Sequence, residues 1–132
     1  MNPNFLVPPL LALAFGASAG AAAATPAELL AAYTRNSGTA ASAERGRALF
    51  TATHGREWSC SSCHGDAPVG TGRHAATGKA IAPLAPAFNA LRFTDPARVE
   101  KWFRRNCNDV MGRECSAAEK ADVLAWLVTL RP

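Results

Sequence analysis

The sequence predicts an all-α domain, about four helices and one long loop arranged as a shell around something that is not protein. Helix start signals and apolar stripes of period 3.6 recur along the chain, whereas no run alternates apolar and polar residues as a half-buried strand would. Between Gly65 and Phe93 the composition turns to Gly, Pro, Ala and Thr. A structureless loop of that length is out of place in a compact domain unless another body fills its centre.

The elements follow in order. The opening stretch MNPNFLVPPLLALAFGASAGAAAA carries no charge, has an apolar centre and ends in small residues, as secretory signals do. Residues 1–24 are therefore expected to be a signal peptide, cleaved near Thr25, with 25–132 as the mature periplasmic domain. The lack of Lys or Arg at the start and the Pro8-Pro9 pair depart from the usual signal pattern, while a run this short and rich in Ala and Gly argues against a membrane span. TPAELLAAYTRN then starts a helix, with Thr25 as N-cap, Pro26 at its first position and Glu28 closing a capping box. Leu29, Leu30 and Tyr33 form its apolar stripe. SAERGRALFTA starts a second helix at Ser42. Its interior Gly46 is expected to permit a close helix crossing, since glycine there otherwise costs about 1 kcal/mol. TDPARVEKWFRRN, with Asp95 and Pro96 as its start signal, gives a third. SAAEKADVLAWLVTL gives the last, with Ser116 and Glu119 as a capping box and Val123, Leu127 and Leu130 on one face.

Charge narrows the partners. Fourteen Lys and Arg against ten Asp and Glu leave +4, a mild excess suited to orienting an acidic protein partner. No block of five like charges occurs, so no nucleic-acid partner is expected.

CSSCHG, Cys60 to Gly65, supplies the missing centre. C-x-x-C-H is the attachment signature of c-type haem, with His64 as the iron ligand next to two thiols that add to the vinyl groups. One covalent haem c is thus the expected cofactor. A zinc-binding structural module would need a second cysteine pair at knuckle spacing, and Cys107 and Cys115 do not have it. A thioredoxin-like dithiol would need βαβ patterning, which is absent. Phe50, Trp58, Phe88, Trp102, Phe103 and Trp126 could cover a haem, although each alone reads as ordinary core.

The second axial ligand decides the function. Met111 is the only methionine besides the initiator, and methionine is the usual choice in electron carriers. It lies beyond the expected third helix, where its direction cannot be read. His54 and His74 sit in polar stretches and read as surface residues. On the third helix Val99, Trp102, Phe103 and Asn106 fall at i, i+3, i+4 and i+7, which predicts that Asn106 points inward. An unpaired buried amide costs about 1–3 kcal/mol, so Asn106 needs a partner: a backbone group at the helix end, or iron. In an exported chain Cys107 and Cys115 are expected to form a disulfide, clipping this segment in place.

From Ala43 onwards the chain resembles the small exported cytochromes c called SHP, through AERGRALF, CSSCHG, TGKAIAPLAPA, RFTDPARVEKW, RNCNDVMGREC and EKADVLAWL. The resemblance implies a class I cytochrome c fold, haem bound by Cys60 and Cys63, His64 as proximal ligand, Asn106 as distal ligand, and the Cys107–Cys115 disulfide. It implies oxygen binding, and as redox partners a dihaem cytochrome c and a membrane cytochrome b. Met111 departs from the family's aliphatic residue and stays the alternative distal ligand. The expected function is electron acceptance with reversible binding of a diatomic gas (O2, NO or CO) once Asn106 lets go. The alternative is an ordinary His64/Met111 electron shuttle. No proton-donor chain is legible, so no enzymatic activity is expected.

Overall fold

The computed structural model describes residues 23–132. Most of the expected signal peptide, and the question of its cleavage, lies outside the described residues. The described chain forms five α-helices: α1 Pro26–Ser37, α2 Ala43–Thr51, α3 Cys60–His64, α4 Pro96–Met111 and α5 Ala117–Leu127. None of them is long and apolar enough to cross a membrane. The expected all-α class holds, with one addition. Inside the long loop, β1 Gly72–Arg73 pairs antiparallel with β2 Ala80–Ile81, Gly72 opposite Ile81.

The starts of the helices are where the sequence puts them. Thr25 and Glu28 form the capping box of α1, Ser42 caps α2, Asp95 caps α4, and Ser116 and Glu119 form the capping box of α5. The end of α4 differs from expectation. The helix does not stop at Asn106 but runs to Met111, because Cys107 and Val110 continue its buried face. Gly112 ends it, in the left-handed conformation (φ 73°) that glycine adopts without penalty.

α5 is the hub. Ala121, Asp122, Val123, Leu124, Trp126 and Leu127 are all buried, so it is covered on nearly every side and not along one stripe. α1 and α2 pack on it. At the α2 crossing, a Cβ on Gly46 would stand 1.9 Å from the backbone oxygen of Asp122. Only glycine permits that approach. Asp122 also fixes the start of α2: its carboxylate accepts from the Ser42 amide at 2.7 Å and from Nε and Nη2 of Arg45, each at 2.8 Å.

α4 is tied to the other two long helices by a polar cluster. Tyr33 of α1 donates to Glu100 at 2.6 Å, and Lys120 of α5 donates to the other Glu100 oxygen at 2.8 Å. Phe103 meets the Tyr33 ring edge to face at 5.9 Å.

The loop is knit by its backbone. The Pro68 carbonyl accepts from both Leu84 and Ala85, each at 3.0 Å. Arg92 donates through Nε to Pro83 and through Nη2 to Ala82.

Candidate haem centre

α3 is a single turn, and its start is over-determined. Ser59 caps it, accepting from the Ser62 amide at 3.1 Å while Ser62 Oγ accepts from the Ser59 amide at 3.0 Å. One helical turn brings Cys60, Cys63 and His64 (i, i+3, i+4) to one side. The loop closes over this turn. A Cβ on Gly72 would stand 2.3 Å from the Cys63 carbonyl oxygen and 3.1 Å from the His64 Cα, so β1 lies directly on α3. The Ala75 amide donates to Cys63 Sγ at 3.2 Å.

Burial sets the chemistry of two of these side chains. It pushes the Cys60 thiol up to about 11. It is also the main reason that the His64 imidazole is pushed down to about 4, with the Arg92 charge adding to the effect. His64 is therefore a neutral imidazole near neutral pH, with a lone pair to give. Behind it stands an aromatic wall: Phe50 lies 6.0 Å from the His64 ring and 5.0 Å from Trp126. Phe50 and Trp126 are both core residues.

The other predicted residues sit on α4. Val99, Cys107 and Val110 are its buried positions. Asn106 and Trp102 lie at one edge of that buried face and are exposed, so the expectation that Asn106 points into the protein interior is not met. Phe103, one edge over, meets Tyr33 of α1 and Lys120 of α5. Met111 lies on the opposite edge, about 140° around the axis from Asn106 at 100° per residue. Its sulfur rests 3.6 Å from Cys115 Sγ. Cys107 and Cys115 are joined, their Cα atoms 5.6 Å apart, which ties the last turn of α4 to the residue before the α5 cap. Bonded to each other, they have no thiolates for a zinc ion.

His54 and His74 are engaged with the backbone. His54 Nε2 lies 2.7 Å from the Leu49 carbonyl oxygen, and His74 Nδ1 accepts from the Thr77 amide at 3.2 Å. Among the described residues no group of three or more His, Cys, Asp or Glu side chains is placed to hold a bare metal ion.

Residues 36–127 match a family model described as a domain of unknown function (DUF1924). The cytochrome c-type protein SHP of Cereibacter sphaeroides is 56% identical over 107 residues, 78% of this chain and 82% of that protein. The chain belongs to the SHP family of c-type cytochromes. The structure of oxidised SHP, described as an oxygen-binding cytochrome c, superposes with a TM-score of 0.75 at 52% identity, covering 80% of this chain and 97% of that one. Cytochrome c″ of Methylophilus methylotrophus is more distant, 46% identical over 80 residues, 61% of this chain and 56% of that protein. Its oxidised crystal structure gives a TM-score of 0.71 at 38% identity over 81% of this chain and 95% of that one. A solution structure of the same protein, which addresses haem-ligand detachment, gives 0.68.

As an SHP-family cytochrome the chain has the class I cytochrome c fold and carries covalently bound haem c. The residues present fit that group: two thiols one turn apart, a neutral imidazole beside them, and the apolar ring of Phe50 behind it. Sequence reasoning missed the supports of this centre. Ser59 and Ser62 had a readable capping signal. Gly72, Ala75 and Arg92 had none, because they reach α3 only through the folding of the loop.

Proposed function

We propose that this protein is an exported electron-accepting cytochrome that reversibly binds a diatomic gas when Asn106 releases the iron. Haem c, when bound, supplies the iron that carries the electron and offers a coordination position. Cys60 and Cys63 would anchor it, and neutral His64 would bind the iron. Asn106 would offer the iron an amide oxygen, a hard neutral donor that suits ferric iron and would hold ferrous iron weakly. Once freed, its Nδ2 would be able to donate a hydrogen bond to an incoming O2, NO or CO.

The observation that carries this reading is the phase of α4. Asn106 stands at the open edge of the helix, while the Met111 sulfur is turned to the other edge and rests on the disulfide. A thioether ligand would stay bound in both oxidation states and leave no position for a gas. Oxygen binding by the SHP relative and ligand detachment in cytochrome c″ support the same assignment. The disulfide fits an oxidising compartment such as the periplasm, and the +4 charge fits transient contacts with redox partners. A dihaem cytochrome c and a membrane cytochrome b are the partners proposed. The protein acts as a carrier and not as an enzyme.

Absorption spectra of the haem-loaded protein, oxidised and reduced, with and without carbon monoxide, test this in wild type, Asn106→Ala and Met111→Leu. The reduced wild type should take up carbon monoxide at once, and only Asn106→Ala should alter the ferric spectrum. A reduced protein that ignores carbon monoxide, with a spectrum altered by Met111→Leu, would make this an ordinary His64/Met111 shuttle.

A further inference from the structure

Arg92 is a half-buried cation that the reading above leaves without a role. It precedes Phe93, which is buried and holds φ at 59°, a left-handed conformation that a bulky aromatic residue rarely adopts. That turn sends the Arg92 side chain back across the loop, where Nε donates to the Pro83 carbonyl at 2.9 Å and Nη2 to the Ala82 carbonyl at 2.7 Å. The next two residues, Leu84 and Ala85, are bonded to the Pro68 carbonyl, four positions after His64. The guanidinium is thus fixed to the loop wall beside α3, and its charge is felt at the His64 ring.

It has no counter-ion there. Among the described residues no carboxylate lies within ion-pair distance of Arg92; the pairs present involve Arg45, Arg104, Arg113 and Lys120. Two backbone carbonyls use part of the five-donor fork and none of its charge. A cation held partly out of water in this way calls for an anion. The remaining donors suit a planar carboxylate, which a guanidinium binds side-on. Arg73, the other arginine of the loop, is exposed, and its Nη1 is taken by the Gly78 carbonyl.

We propose that Arg92 receives a propionate of the haem and, as a fixed positive charge beside it, biases the iron towards the ferrous state in which Asn106 lets go. This rests on the haem and His64 assignments above. By Coulomb's law a nearby cation favours the oxidation state of lower positive charge. Removing it would also leave the propionate uncompensated, which acts in the same direction. Arg92 is a positioning and tuning residue: it touches the cofactor's edge and takes no part at the gas site.

The test uses the haem-loaded protein with Arg92→Gln and Arg92→Lys. The midpoint potential is read by spectroelectrochemistry and the propionate bending mode by resonance Raman. Arg92→Gln should lower the midpoint and shift the propionate mode, and Arg92→Lys should restore most of the midpoint by restoring the charge. If Arg92→Gln holds haem poorly, Arg92→Lys alone still decides: its shorter, single-headed contact should shift the propionate mode. A midpoint and a propionate mode unchanged in both variants would overturn the proposal and reduce Arg92 to a brace for the loop. A wild type that ignores carbon monoxide, with a midpoint that still falls in Arg92→Gln, would sink the gas-binding reading and leave the propionate contact standing.

Discussion

Asp122 sits in the buried middle of α5, and its carboxylate is tolerated there because three donors from the start of α2 converge on it. Arg45 is itself more than half exposed, so water screens part of the pair. The loss in Asp122→Ala is then dominated by the stranded Ser42 amide and the missing charged hydrogen bonds, roughly 2 kcal/mol. A lower urea midpoint at unchanged slope, with the haem spectrum intact, is the expected result. No spacing rule links Asp122 to Arg45, which is why the pair was invisible in the sequence. Cys60, Cys63 and His64 were legible for the opposite reason, since their geometry is confined to one turn. Met111 is an intermediate case. Its scarcity made it a candidate, and only the continuation of α4 past Asn106 gave its direction.

At the scale of elements, local chemistry was the readable part. Thr25, Ser42, Asp95 and Ser116 each announce a helix, and each does cap one. α3 leaves no helical signature in the sequence, because five residues are too few to show a period. The end of α4 is hard to place from sequence because Gly112, its stop signal, stands between two cysteines that interrupt the helical pattern. The start of α5 makes a prediction about acid. Two hydrogen bonds from Arg113, at 2.6 and 2.8 Å, and the bond from the Ser116 amide hold the Glu119 carboxyl down at about 2. Its folded-state value lies below its ordinary one of 4.5. The stabilisation is therefore complete above the ordinary carboxylate range and fades as pH falls from roughly 5 towards 2. Glu119→Gln should be less stable than wild type at neutral pH and converge on it in acid, as denaturant midpoints across that range would reveal. A constant gap between the two would show that Glu119 acts by packing alone.

For the molecule as a whole, the class was legible and the closure was not. A helical pattern, a long irregular loop and C-x-x-C-H together required a cofactor-centred α-protein. The way the loop closes depends on the Pro68 and Pro83 carbonyls and on the bare Cα of Gly72, none of which marks the sequence. The disulfide acts at this scale, since it fastens the two C-terminal helices to each other next to Asn106. Replacing Cys107 and Cys115 by Ser should lower stability by roughly 2–3 kcal/mol, the loop-closure value for so short a ring. It should also mix the ferric spectrum, because the last turn of α4 would fray and Asn106 would lose its fixed position. A cleanly two-state loss with an unchanged spectrum would mean that the helix alone holds the asparagine.

The contact of Gly72 with α3 also says something about time. In the finished fold β1 lies across the attachment turn, and the Ala75 amide reaches the Cys63 sulfur. A turn with a strand packed on its backbone leaves little room for a macrocycle to approach it. The bonds to the haem therefore belong to an earlier moment, when residues 60–75 are still open chain. Folding comes second and seals what has been joined, so the order of manufacture is recorded in which strand lies on top.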